Sequence, residues 1–305
     1  RETIGLNRTH YSLEMAMDLV NKLFDLTGKT AVVTGASSGL GAYFAEILAN
    51  QGATVVITAR RLDRLEALSA QINNAGGKAI AIACDVDQPA AVAAMMEQAW
   101  AECGRIDIVV NNAGQVGDGG FVPEKLPHEL FEATLKTNLS GLWYCCQEAG
   151  KRMLADGKGG SIINLTSVLG MGGSGDHPLA YQTSKAGVIN LTRNLACSWA
   201  DRGIRVNALA PAYFPSEMTG PYLAVPGYET YINNKTPLGR LGTLEELAAP
   251  LLMLASDAGS YLTGITLPVD GGYSAGVGHT RWTDDIYEGL SNVIPDQGSV
   301  HIKAD

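Results

Sequence analysis

Two residues one helical turn apart carry the first chemical suggestion in this chain: Tyr181 and Lys185, in "YQTSK". Residues i and i+4 share a helix face, so the phenol and the ammonium can meet. A phenol with its ordinary pKa of about 10 is poorly matched to proton transfer near neutrality. A nearby ammonium favours the phenolate and lowers that value. The pair reads either as a general acid with its tuning cation or as two polar residues on an ordinary helix. A second group lies upstream in "TGASSGLG", Thr34 to Gly41. Gly35, Gly39 and Gly41 permit a tight turn and let an anion approach the backbone around Ser37, Ser38 and Leu40. A helix that follows would aim its first N–H groups at that anion. In "VVITARR", Arg60 and Arg61 could grip a phosphate through paired hydrogen bonds. The plainer readings are a glycine-rich turn without a ligand and two solvated arginines at a helix start.

These groups serve one reaction only if the chain folds them together, and the hydrophobic pattern supplies a frame. "KTAVVTG", "ATVVITA", "KAIAIACDV", "IDIVVNNAG", "GSIINLTS", "IRVNALAP" and "GITLPVDGG" read as strands. Between them lie helical stretches: Gly41 to Gly52, "LDRLEALSAQINNAGG", and "PAAVAAMMEQAWAECG" opened by Pro89. Further on come a long helical region from Glu129 through Asn138 to Met153, the "YQTSK" helix to about Ala200, and "LEELAAPLLMLAS". Strands alternating with helices imply right-handed βαβ units, hence an α/β fold with a doubly wound parallel sheet and helices on both faces. The Val/Ile/Ala runs suit strands buried on both faces. No internal linker or repeat appears. We expect an N-terminal extension over 1–24, a single domain over 25–276 and a C-terminal extension over 277–305. In the first, Leu13, Met17, Val20 and Phe24 could line one helix face.

In such a sheet the loop after the first strand holds a dinucleotide pyrophosphate, and the end of the second strand meets the adenosine ribose. An acid there suits the free 2′-hydroxyl of NAD, whereas arginine accommodates the 2′-phosphate of NADP. Arg60 and Arg61 occupy that place and the nearest acid is Asp63, so NADP(H) is expected ahead of NAD(H). Composition narrows the partners. The net charge is −9, from 22 basic and 31 acidic residues, with no basic block, which argues against nucleic acid and anionic membranes. The five cysteines are Cys84, Cys103, Cys145, Cys146 and Cys197. Their odd count and lack of C-x-x-C spacing suggest neither disulfides nor a metal site, and fit a reducing, cytoplasmic setting. No run is long enough to span a bilayer, and no signal-peptide pattern is visible.

With "TGASSGLG", "NNAG" at 111–114, "YQTSK" and "VDGG" at 269–272 in this order, the chain resembles the short-chain dehydrogenase/reductase family over about residues 25–275. The entry "NKLFDLTGKTAVVTG" is similar to the branch holding gluconate 5-dehydrogenases and 3-oxoacyl-carrier-protein reductases. The resemblance implies a Rossmann-type sheet, a nicotinamide cofactor, hydride transfer between alcohol and carbonyl, and a homo-oligomer, tetramer or dimer. It assigns Asn138, Ser167, Tyr181 and Lys185 to a catalytic tetrad. In it Ser167 bonds the substrate oxygen, Lys185 also holds the nicotinamide ribose, and Asn138 holds a water leading to solvent. Asp85 and Val86 match the adenine-binding segment, and Asn111 the asparagine that stabilises the central sheet. Asn112, Ala113, Gly114, Pro211 and Ser216 match positions along the cofactor. A Tyr–Lys spacing of four argues against the enoyl-reductase branch, where the two lie further apart.

Three departures stand out. Ser167 and Tyr181 are 14 residues apart, one more than in many members, and Thr166 is a neighbouring hydroxyl. The family's Pro-Gly after the sixth strand reads Pro211–Ala212, which touches the backbone beside the nicotinamide. Ser216 replaces a threonine. The long segment Tyr213 to Lys235 should form a lid, its Tyr213, Phe214, Tyr222, Tyr228 and Tyr231 either lining an apolar pocket or anchoring the lid. His177 is a loop residue, solvated or touching substrate, while Cys145, Cys146, Met95 and Met96 are expected to pack. The expected activity is NADPH-dependent reduction of a ketone to a secondary alcohol. The alternatives are an NAD-dependent sugar-acid or polyol dehydrogenase, and a non-catalytic NADP-binding sensor. His279, Arg281 and Trp282 of the tail could fold over a neighbouring subunit.

Overall fold

A computed structural model describes residues 13–119, 121–175 and 178–276. The expected roles of His177 and of the tail with His279, Arg281 and Trp282 lie outside the described residues. Seven strands form one wholly parallel sheet: β1 (Thr30–Thr34), β2 (Thr54–Ala59), β3 (Lys78–Ala83), β4 (Ile108–Asn111), β5 (Gly160–Leu165), β6 (Ile204–Pro211) and β7 (Thr266–Val269). Their order is β3-β2-β1-β4-β5-β6-β7. The order reverses between β1 and β4, which opens a crevice at the strands' carboxyl ends.

Successive residues of a strand face opposite ways, and both faces are apolar. Val33, Val55 and Ile57 look towards α2 (Gly39–Asn50), α3 (Leu62–Asn74) and α10 (Ala248–Ala255), through Phe44, Leu48, Leu65 and Leu251. Val32, Val56 and Val109 look towards α4 (Pro89–Cys103), α6 (Leu142–Asp156) and α7 (Leu179–Trp199). Met95, Met96, Cys145 and Cys146 lie in that second core. Burial pushes the Cys146 thiol up to about 12, so it packs rather than reacts.

The helical region expected from Glu129 to Met153 is three pieces. α5 (His128–Leu135) passes into a π-helical turn, Lys136–Gly141, and then into α6. Within "LEELAAPLLMLAS" only Ala248–Ala255 is α-helical, preceded by a 3₁₀ turn over Leu244–Leu247. Pro250 has no N–H for the carbonyl four residues back, and Thr243 and Glu246 cap that turn reciprocally. The N-terminal helix α1 spans Leu13–Phe24; on it Leu19 and Val20 are about half exposed and Phe24 is partly buried. The lid contains two short helices, α8 (Gly220–Leu223) and α9 (Tyr228–Lys235).

Candidate active site

Four of the five residues of "YQTSK" tie α7 to its surroundings. The Tyr181 phenol hydrogen-bonds with the Ser167 hydroxyl, and burial, the larger influence, pushes it up to about 12. Gln182 clamps the loop before it, donating to the Ser174 carbonyl at 2.9 Å and accepting from the Ser174 N–H at 2.9 Å. Ser184 donates to the Tyr181 carbonyl at 2.7 Å and accepts from Asn138 Nδ2 at 3.1 Å. Lys185, 4 % exposed, donates through Nζ to the Leu165 carbonyl at the end of β5, at 2.8 Å. Its Nζ lies 5.5 Å from the centre of the Tyr181 ring. The sequence suggests an ammonium that holds the phenol down. In the structure burial dominates both groups, lifting Tyr181 and lowering Lys185 to about 8.

The other candidates reach this spot from three directions. Ser167 follows β5 and opens a 3₁₀ turn, its hydroxyl accepting from the Leu169 N–H at 3.1 Å. Thr166 points elsewhere, donating to the Lys185 carbonyl at 2.7 Å. Gly170 explains the serine's register: a Cβ there would sit 2.6 Å from the Lys185 carbonyl carbon, so only glycine lets the turn press on α7. Asn138 is fully buried in the π-helical turn. Its Oδ1 accepts from the Gln115 N–H at 2.8 Å, and its Nδ2 donates to the Gln115 carbonyl at 2.9 Å. With Ser184 as the third partner its side chain is committed, and so it acts as a strut between the β4 loop and α7. Asn111 bonds Asn164, its register partner on β5, at 2.9 Å.

A trench with a volume of about 460 Å³ leads from Tyr181 and Lys185 past Gly114 to the glycine loop and the end of β2. Asp85, Val86, Asn112, Ala113, Pro211 and Ser216 line it with Arg60 and Arg61. Gly35 has a φ of +67°, and a Cβ on it would stand 2.7 Å from the Ala113 Cα. A Cβ on Gly41 would strike Asn112 and the Gly35 carbonyl. These two glycines thus serve chain packing more than ligand approach, because Asn112 Nδ2 grips the carbonyls of Thr34 and Gly35. Ser38 precedes α2 but makes no capping bond to it. Its hydroxyl instead accepts from Arg61 Nη2 at 2.9 Å, which leaves the first N–H groups of α2 for an anion. The trench, uncapped helix end and arginines fit a dinucleotide carrying phosphates.

A family model described as "Enoyl-(Acyl carrier protein) reductase" matches residues 35–274. A solved structure of a short-chain type dehydrogenase/reductase from Mycobacterium marinum is 41% identical, covering 84% of this chain and 100% of that one at a TM-score of 0.80. This chain belongs to the short-chain dehydrogenase/reductase family. It is an oxidoreductase of that family, acting on alcohol or ketone substrates. D-threitol dehydrogenase of Mycolicibacterium smegmatis is 39% identical over 252 residues, 82% of this chain and 95% of that one. A gluconate 5-dehydrogenase from Burkholderia cenocepacia, solved in complex with NADP and tartrate, is 32% identical. It covers 85% of this chain and 100% of that one at a TM-score of 0.81.

Against the short-chain dehydrogenase/reductase pattern, the replacement of glycine by Ala212 brings no backbone strain. Among the described residues every positive φ belongs to glycine, and the Ala212 N–H bonds the Val269 carbonyl at 3.1 Å. Ser216 and Thr219 share hydroxyl contacts at 3.0 Å where the lid begins. Phe214 belongs to the core, pressed on Gly242. The rings of Tyr222, Tyr228 and Tyr231 follow one another at 6.0 and 6.1 Å, and Tyr213 pairs with Tyr273 at 5.6 Å. The first two contacts lie within the lid, whereas Tyr213 against Tyr273 and Tyr222 over Gly119 join it to its surroundings.

Two acids escape a sequence reading. Asp118, 1 % exposed, accepts the Ala180 N–H at 2.6 Å and so holds the start of α7 one residue before Tyr181. Glu217 in the lid meets Arg61 at 3.0 Å and Arg64 at 2.7 Å. Neither has a partner close in sequence, so no local motif marks it. Among the described residues no group of His, Cys, Asp and Glu is placed to hold a metal ion, and no helix is long and apolar enough to cross a membrane.

Proposed function

We propose that this chain is an NADPH-dependent carbonyl reductase that reduces a ketone to a secondary alcohol and runs in reverse as an alcohol dehydrogenase. The observation that carries the reading is the convergence of the Tyr181 and Ser167 hydroxyls beside buried Lys185 at the head of the trench. Arg60, Arg61, Ser37 and Ser38 would hold the adenosine end of NADP, with Asp85 and Val86 at the adenine and Asn112, Ala113, Gly114, Pro211 and Ser216 along the rest. When bound, the cofactor supplies the hydride. Tyr181, held protonated by burial, gives its proton to the substrate oxygen as charge builds there. The Ser167 hydroxyl donates to the same oxygen and stabilises that charge. The cationic form of Lys185 makes loss of the phenol proton easier. Asn138 fixes the distance between the β4 loop and α7.

A second reading, an NAD-dependent polyol or sugar-acid dehydrogenase, has its own support. Glu217 already neutralises Arg61, and the relatives above are named for threitol and gluconate. The sensor reading is weak because Tyr181 and Lys185 are both in place. The enoyl reading is weak because they stand one helical turn apart. The fitting partner is a small carbonyl or alcohol, turned over by a cytoplasmic homo-oligomer whose working domain spans 25–276. The test follows NADPH and NADH absorbance with ketones, β-keto esters, polyols, sugar acids and an enoyl thioester. Turnover of ketones with NADPH is expected. Turnover with NADH alone, or of the enoyl thioester alone, overturns the proposal.

A further inference from the structure

Beside the adenosine end of the trench, four donors from two elements converge on one carboxylate of a third. Arg61 Nη2 and Arg64 Nη1 contact Glu217 Oε2 and Oε1 at 3.0 and 2.7 Å, and Arg61 Nη1 reaches Oε1 at 3.4 Å. The same Arg61 Nη2 donates to the Ser37 and Ser38 hydroxyls at 2.9 Å each, and Nε reaches Ser37 at 3.2 Å. Ser38 also hydrogen-bonds Glu217, and the arginines hold its carboxyl down to about 2. Two guanidinium groups and the Ser38 hydroxyl around one anion, with Ser37 steadying Arg61, are a donor set that suits a phosphate monoester. The pocket stands just past β2, where the ribose 2′ position belongs. Glu217 does not come from that pocket's own elements. It sits in the turn between β6 and α8, where the lid begins.

We propose that Glu217 is a tethered competitor for the 2′-phosphate of NADP: its carboxylate occupies the phosphate subsite and must leave before the phosphate is bound. The inference rests on the NADP reading above and deepens it. A cofactor without the phosphate leaves the ion pairs intact, whereas NADP has to exchange them for its own. Glu217 therefore narrows the preference for NADP over NAD, and it is the residue through which cofactor choice reaches the lid. The three charged partners are 42, 45 and 50 % exposed, so each ion pair is weak and exchange with a ligand anion is feasible.

Titration calorimetry of the wild-type protein, Glu217→Gln, Glu217→Ala and Arg61→Ala with NADPH, NADH, 2′,5′-ADP and 5′-AMP tests this. Both Glu217 variants should bind NADPH and 2′,5′-ADP about two- to fivefold more tightly, with NADH and 5′-AMP unchanged. Arg61→Ala should weaken only the two ligands that carry the phosphate. If Arg61→Ala weakens them while the Glu217 variants bind no tighter, the competitor inference is overturned and the NADP reading survives. If Arg61→Ala leaves both unchanged, the phosphate subsite itself is refuted and the inference falls with it. Equal tightening towards NADH would show a general charge effect and also overturns it.

Discussion

The wall of the site that handles the proton and the wall formed by the lid are held in opposite ways. On the proton side, buried polar side chains bond to backbone: Lys185 to the Leu165 carbonyl, Thr166 to the Lys185 carbonyl, Asn138 to Gln115, and Asp118 to the Ala180 N–H. On the lid side, exposed Arg61, Arg64 and Glu217 bond to one another and to serine hydroxyls. Burial makes it costly to give up a bond to backbone. An exposed ion pair is worth between 0 and about 1 kcal/mol and can be traded for a ligand's anion. One wall is preorganised for chemistry and the other is adjustable for binding.

Four measurements test that contrast. Tyr181→Phe should lower kcat about 10³-fold with NADPH affinity little changed, because it removes the proton donor and leaves the trench intact. A variant within tenfold of wild type would place the proton elsewhere. Phe214→Ala should cost about 3 kcal/mol in denaturant unfolding, since this residue at the root of the lid is a packed core group at 3 % exposure. A loss below about 1 kcal/mol would make the whole lid soft, its root included.

Third is the pH profile of ketone reduction. Lys185 carries its charge below about 8 and loses it above, whereas Tyr181 stays protonated to about 12. Accordingly kcat/KM should fall above pH 8, by about tenfold for each further unit. Lys185→Arg should move that limb to higher pH, because guanidinium remains charged, while lowering the plateau. A wild-type profile flat to pH 10 would remove Lys185 from the proton's path. The smallest effect is expected for Asp118→Ala, about 1 kcal/mol of stability from the lost partner of the Ala180 N–H. Unchanged stability would mean that this end of α7 needs no cap.

Much of this was legible in the chain. The β-rich runs and the helices between them mark the parallel sheet because both periodicities are local. "YQTSK", "TGASSGLG" and "NNAG" point to the trench because each sits at a strand or helix end that the sheet brings to one edge. The π-helical turn at Asn138 was not legible. It substitutes one hydrogen-bond register for another inside an otherwise helical sequence, and within it Asn138 grips the distant Gln115 backbone. Nor could the sequence say that Gly41 is crowded by Asn112, or that Phe214 turns inward onto Gly242.

By itself the sequence determined the alternation that makes the sheet parallel, the loop that follows β1, and the helix that sets Tyr181 one turn from Lys185. These follow from side-chain periodicity and from the backbone freedom of glycine, which neighbours in sequence settle. The tertiary structure alone decided the protonation of the pair, because burial is a property of the assembled fold and pushes Tyr181 up and Lys185 down. It also decided that Asp118 would cap α7 from 62 residues away and that Glu217 would reach Arg61 across 156. Contacts between segments so far apart are fixed by how the sheet edge, lid and helices meet.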